Sequence, residues 1–334
     1  MAKKRRSGKF TAGVTGAALG VAAGAALGAY VLNPAGAGID FGTGAASERD
    51  AAVARADAQQ ARADEANRII EPIVGEIVKD SLKDVPVLVI ATPDATDEQL
   101  AGVSETLRAA GAPDAGVLKL TDKFLSSAGA DELKDTVSTS LPADVQLDPE
   151  RREPGRQAGQ ALAPVLELDK DGGERASAAD RKLLLEALKG GGFVEYAEGT
   201  LRPAAGIVIV GNRGTVSRAA IDKGEDPEFG AGLVADLSVA LAEGFGAGED
   251  AAGHVVVGTD VAGAPEGDDA AGEGDPGSLD SGTGVTAKDG LFNVLQDRGD
   301  SAASVKRVGA VSDAAGQVGV VGALPDKVND SNIE

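Results

Sequence analysis

Apolar and polar positions follow three successive patterns along this chain. Residues 10–32 form 23 consecutive positions without a charge, which as a helix at 1.5 Å per residue would measure roughly 34 Å, enough to cross a bilayer. A Gly-rich linker, 33–44, leads to residues 45–80, whose first part is rich in Ala, Arg, Asp, Glu and Gln with no Gly or Pro up to Ile70, a composition that favours a helical stalk. Pro72 kinks or ends that helix, and Ile73, Val74, Ile77 and Val78 renew the apolar pattern. From about residue 81 short apolar runs alternate with helix-period segments. Residues 85–91 (VPVLVIA) are almost continuously apolar, as a strand is when both its faces are buried. Further strands are predicted at 115–120, 193–196, 206–211, 255–259 and 305–311. Helices are predicted at 96–110, 123–140, 155–168, 177–188, 229–243, 288–298 and 313–324. Thr96 and Gln99 have the spacing of a capping box, and Gly111 stops that helix.

The alternation predicts a three-layer α/β domain with a mostly parallel sheet over 81–325, behind a transmembrane helix (10–32) and a helical stalk (45–80) that is a possible coiled coil. Residues 1–9 and 326–334 are read as a basic cytoplasmic tail and a flexible C-terminal tail. Within the apolar run Gly16, Gly20, Gly24 and Gly28 recur every fourth residue, a stripe that lets two membrane helices pack closely. The high content of small residues also produces such spacings by chance. In the stalk a heptad can be written with Val53, Gln60 and Asn67 at a and Ala56, Ala63 and Ile70 at d. It is a thin seam whose polar a residues favour register over stability; a parallel coiled coil and a lone solvated stalk both fit it.

Charge adds a direction. The first ten residues hold Lys3, Lys4, Arg5, Arg6 and Lys9, so the remainder carries −26 of a net charge of −21. Basic residues ahead of an apolar helix stay in the cytoplasm, so the chain beyond residue 33 is expected outside, on the cytoplasmic membrane as a single-pass protein. A cleaved signal peptide, with Ala35 and Ala37 at a small-x-small site, and a buried core helix are the alternatives for the same segment. The acidic remainder speaks against nucleic acid as a partner.

Candidate chemistry is sparse. There is no Cys, one His (His254) and one Met, at the first position, which removes thiol catalysis, disulfides, multi-His metal sites and HExxH zinc helices. No GxGxxG follows the first predicted strand and no Walker A sequence is present; Gly211 and Gly214 after GIVIV lack the residues that would complete a phosphate loop. Asp94, Asp97, Asp260 and Asp313 follow predicted strands, where α/β sheets place ligand groups, but acidic turn and cap residues are equally common there. His254 opens a predicted strand and reads as structural. Residues 261–288 hold six acidic residues and no base before Lys288, without the ordered spacing of an EF-hand. They read as a solvated loop. The segment 211–226 is expected to be mobile. No cofactor and no enzymatic activity are expected.

With its basic start, single apolar helix and stalk, and with the segments VPVLVIATPDATDEQLAGVSETLRAAGA, LKLTDKFLSS, LPADVQL, RKLLLEALKGGGFVEY, GIVIVG and TAKDGLFNVLQDRG, the chain resembles the actinobacterial MctB family, mycobacterial copper transport protein B, and its corynebacterial SteB relatives. The resemblance covers most of the chain. Through MctB it implies copper transport and homeostasis, with some members described as outer-membrane channels; through SteB it implies an anchored partner of a SteA-like protein in cell division and daughter-cell separation. Copper(I) prefers thiolate, thioether and imidazole, which this chain almost lacks. Its apolar runs are continuous rather than alternating as in a membrane barrel. The expectation is therefore a non-enzymatic scaffold or regulator, paired as a homodimer through anchor and stalk, with copper transport as the alternative. An enzyme active only in the cytoplasm, fused after Glu334, should be silent in cells; activity there, or release of soluble protein cleaved near Ala37, would refute the N-in, C-out topology.

Overall fold

The structure, a computed structural model, describes residues 68–69, 72–143, 145–169, 171–212, 216–245, 255–259, 305–308, 311 and 313–325. The predicted anchor with Gly16, Gly20, Gly24 and Gly28, the seam residues Val53, Ala56, Gln60, Ala63, Asn67 and Ile70, His254, Asp260, the 288–298 helix and the 326–334 tail lie outside the described residues. Six strands are described: β1 (Val87–Ala91), β2 (Asp114–Leu120), β3 (Val194–Glu195), β4 (Gly206–Gly211), β5 (Val255–Thr259) and β6 (Val305–Val308). They form one sheet in the order β3-β2-β1-β4-β5-β6. All neighbours are parallel except the two-residue edge pair β2–β3. The helices are α1 (Asp97–Ala109), α2 (Asp122–Leu125), α3 (Ala130–Thr139), α4 (Pro154–Leu166), α5 (Ala178–Gly190), α6 (Arg218–Ile221), α7 (Pro227–Gly244) and α8 (Ala314–Ala323).

The central strands alternate between two cores. Leu88, Ile90, Ile207, Ile209, Val255 and Val257 pack into one, with α2, α3, α4, α5 and α7. Val87, Val89, Val208, Val210 and Val256 face the other, with Val103 and Leu107 of α1 and Val320 and Val321 of α8. Because each face meets helices, both sets of alternating positions are apolar, and this makes VLVIA and GIVIVG read as unbroken runs. The three-layer expectation holds for the described residues. Val74 and Val78, in the helical turns at 72–78, join the second core.

Local signals explain most boundaries. Thr96 and Gln99 form the capping box reciprocally: Gln99 N donates to Thr96 Oγ1 at 3.2 Å, and Thr96 N donates to Gln99 Oε1 at 2.9 Å. Ser177 caps α5, Asp226 caps α7 and Asp313 caps α8. Two expectations need correction. The helix predicted over 123–140 is two, because Ser126 turns extended, its hydroxyl accepts from Gly129 N at 2.9 Å, and the second helix starts only after Gly129. Of the strand predicted over 305–311, Val305–Val308 is described as strand, whereas Val311 lies in a turn. Within the segment 211–226 Gly211 ends β4, α6 is described, and Ser217 Oγ accepts from Ala220 N at 3.2 Å.

The tightest packing lies between α4 and α7, which run side by side in the same direction. Residues 230–242 of α7 are all buried, and apart from Asp236 and Ser238, whose hydroxyl donates to Val234 O at 2.7 Å, they are Gly, Ala, Val and Leu, as expected of a helix surrounded by protein. Gly155 and Gly159 let α4 approach: a methyl on Gly155 would overlap the carbonyl of Leu233, and one on Gly159 would lie 2.5 Å from Ala240 Cβ. Glu243 of α7 receives Arg156 at 2.8 Å and Arg151 at 3.0 Å, tying the pair at its rim. Gly159→Val should destabilise the domain by about 1–3 kcal/mol through overpacking. An unchanged urea midpoint would show that the helices can part at no cost.

Candidate functional site

In an open parallel sheet, ligands bind beyond the C-terminal ends of the strands, where neighbouring connections leave in opposite directions. Here that point lies between β1, whose connection leads to β2, and β4, whose connection leads to β5. Thr92 and Asp94 follow β1, Gly211 and Asn212 close β4, and Gln99 comes from the first turn of α1.

Their polar groups are directed at one another. Thr92 N donates to Val210 O at 2.9 Å, and its hydroxyl donates to Asp94 Oδ1 at 2.6 Å. Asn212 N donates to the same carboxylate oxygen at 3.1 Å, and Asn212 Nδ2 donates to Asp94 O. Gln99 Nε2 completes the set by donating to Asn212 Oδ1 at 2.8 Å. Thr92 and Gln99 are buried. A methyl on Gly211 would overlap the Thr92 hydroxyl, so only glycine lets the two strand ends come this close. The N-terminus of α1, where an anion would otherwise find free amides, is closed by its own capping box. Beside this cluster Asp122 accepts from Ser217 N at 2.8 Å and from Ser217 Oγ at 2.6 Å. The β4–α7 connection is thus tied to the loop after β1 by Asn212 and to the first turn of α2 by Ser217.

Of the sequence-predicted aspartates, Asp94 is the centre of this cluster. Asp97 lies in the first turn of α1, its exposed carboxylate 3.7 Å from Lys119 Nζ, and Asp313 is a helix cap. Among the described residues no group of three His, Cys, Asp or Glu side chains is placed to hold a metal ion. Nor is any described helix long and apolar enough to cross a membrane.

Sequence reading missed the pairing of Asp94 with Asn212, although Asn212 directly follows GIVIVG. It also missed a buried carboxyl at the opposite end of the sheet. Glu167 caps the C-terminus of α4 with none of its surface exposed. Arg175 Nη1 donates to its Oε2 at 2.8 Å and to Gly244 O, at the end of α7, at 2.7 Å. Oε1 has no partner. Burial pushes this carboxyl well above its usual range, with Arg175 opposing the shift. The available signal was a lone acid inside the apolar stretch VLELD.

The sequence matches the family described as "Copper transport outer membrane protein, MctB" over residues 9–332. The chain belongs to the MctB family. Among curated relatives, the copper transporter MctB of Mycobacterium leprae is 34% identical over 126 residues, 37% of this chain and 40% of that protein. Those of Mycobacterium bovis and Mycobacterium tuberculosis are 27% identical over 265 residues, 77% of this chain and 71% of each relative. Membership rests on this extended likeness, and the described domain is an α/β sandwich of helices around a parallel-rich sheet.

Two outcomes follow from the buried groups. Asp94→Ala removes an acceptor for two donors and should lower stability by about 1–3 kcal/mol; thermal unfolding that matches the unsubstituted chain would mean that the cluster is slack. For Glu167 the folded state binds the proton more tightly than the unfolded state, where the ordinary value is near 4.5. Stability should therefore fall as pH rises from that value until the folded carboxyl has ionised, then level off. Glu167→Gln keeps a hydrogen-bonding oxygen for Arg175 and should remove that decline, as read from urea midpoints between pH 5 and 8; an undiminished decline would place its origin elsewhere.

Proposed function

We propose that this MctB-family chain acts in copper homeostasis at the cell envelope as an anchored, non-enzymatic protein whose α/β domain works by docking rather than by holding copper itself. The family match over residues 9–332, with relatives named copper transporters, carries the copper reading. It favours the copper alternative over the division-scaffold role expected from the sequence, for which the comparisons give no support.

Two features support docking over direct carriage. The donor inventory of the whole chain is poor for copper(I), with no Cys, one His and one Met. At the switch point, where an α/β domain would receive a small ligand, Thr92, Asp94, Asn212 and Gln99 use their polar groups on each other. Copper would be the cargo of an assembly in which this domain is a structural member. The basic segment Lys3 to Lys9 and the uncharged run 10–32 would hold it on the cytoplasmic membrane with the domain outside, and the family description places MctB at the outer membrane.

A deletion strain should grow poorly in copper, and a copy carrying His254→Ala should restore growth as well as the unsubstituted gene. In a chelator competition the purified chain should bind copper(I) no tighter than about micromolar, since soft ligands are missing. Normal growth of the deletion strain in copper would defeat the copper reading. Nanomolar affinity lost with His254→Ala would instead restore direct carriage.

A further inference from the structure

Glu167 is enclosed where the C-terminal ends of α4 and α7 meet. Gly244, the last residue of α7, fits against it: a methyl there would overlap Glu167 Oε2 and lie 2.6 Å from Ala163 Cβ. From the α4–α5 loop the limb 171–176 reaches the same spot through Arg175, which bonds both Glu167 Oε2 and Gly244 O. This limb folds back on the start of its own loop. Asp169 N donates to Gly173 O at 2.8 Å, Gly172 N donates to Asp169 O at 3.0 Å, and Gly173 N donates to Asp169 Oδ1 at 2.7 Å. Arg175 already reaches water, with its side chain 29% exposed, so the limb can carry it outward without crossing the core.

Ionising Glu167 in the closed arrangement is unfavourable on geometry alone. A single N–H of a shared guanidinium reaches Oε2, Oε1 has no hydrogen-bond partner among the described residues, and the negative ends of two helices lie beside it. The other charged groups on the surrounding elements are engaged elsewhere or exposed. Glu243 of α7 holds Arg151 and Arg156, while Arg181 of α5 pairs with Glu174 at 3.1 Å and donates to Val165 O. Asp180 accepts from Ser177 Oγ, and Asp169 accepts from the amides of its own turn. Asp171 is exposed, as is Arg202, which precedes by two residues the Ala204 that bridges Glu167. Lys170 lies outside the described residues. Burial accordingly raises the carboxyl well above its usual range. Lifting the limb admits water to the carboxylate and relieves the cost, whereas a neutral carboxyl has no such cost to relieve.

We propose that the limb 171–176 is a pH-responsive latch, closed over Glu167 while that carboxyl holds its proton and lifted, with Arg175, when the carboxyl ionises. The latch closes as pH falls and opens as pH rises, because only the closed form buries the charge. It is independent of the copper reading. Hydrogen exchange of the full-length chain in mild detergent reads it through the bonded amides of Asp169, Gly172 and Gly173, expressed as protection factors so that the intrinsic pH dependence of exchange cancels. Each unit by which enclosure raises the carboxyl is a tenfold factor in opening, so protection there should drop at least about ten-fold from pH 5 to pH 9 while β1 and β4 keep theirs. Glu167→Gln, with nothing to ionise, should hold the latch closed throughout. Gly244→Ala, which presses on Glu167 and Ala163, should lower protection of the limb already at pH 5. Constant protection in the unsubstituted chain, a drop shared by β1 and β4, a drop that persists in Glu167→Gln, or full protection in Gly244→Ala at pH 5 would each overturn the proposal. The pH profile of the unsubstituted chain decides even where a variant fails to fold.

Discussion

Burial of the sheet on both faces is the constraint on which the rest of the domain depends. Once Leu88 and Ile90 look into one core and Val87 and Val89 into the other, neither side of β1 can meet water. Each backbone group of the strand must then find its partner in β2 or β4, and helices must cover both faces. The close approach of α4 to α7 follows from the same demand. A helix buried along 230–242 leaves none of that stretch to water, so its neighbour must come near enough to fill the space, and Gly155 and Gly159 permit it.

Polar residues in this framework settle the ends rather than the middle. At the C-terminal edge of the sheet Asp94 and Asn212 join the ends of β1 and β4, and Asp122 with Ser217 secures the neighbouring loop. At the other edge, Arg175 serves two helix ends at once, bonding Glu167 at the cap of α4 and the Gly244 carbonyl at the end of α7. A cation there offsets the negative ends of two parallel helices, which suits a guanidinium better than any neutral donor. Among the described residues Glu167 Oε1 is one of three buried side-chain polar atoms without a hydrogen-bond partner, with Arg156 Nη1 and Arg181 Nη2.

Much of the described fold was legible because its signals are local. The apolar runs at β1 and β4, the Thr96–Gln99 box and the cap residues Ser177 and Asp313 each depend on a few adjacent positions. The two-residue β3 was visible only because Phe193 and Val194 interrupt a polar stretch, and its antiparallel pairing with β2 had no sequence marker. The break after α2 was missed because Ser126 and Gly129 act through hydrogen bonds that a hydrophobic period does not encode. The candidate site was half legible. Asp94 could be named from its place after a buried strand, but Asn212 lies 118 residues away, and only the strand order brings the two together. Glu167 shows the same limit, since its partner Arg175 is near in sequence whereas Gly244 is not.

The place where the chain enters the sheet has a mechanical consequence. The helical turns that carry Val74 and Val78 lead through Leu82 and Val85 directly into β1, a central strand. β1 is held in parallel register on both sides, from Val87 opposite Gly206 to Ala91 opposite Val210 on one side, and from Val89 opposite Val117 to Ala91 opposite Lys119 on the other. A pull on the preceding segment along the strand axis would load these hydrogen bonds in shear, so that they share the force and yield together. An edge strand pulled sideways would instead unzip one bond at a time. A chain tethered ahead of β1 thus takes its load where the sheet resists extraction best.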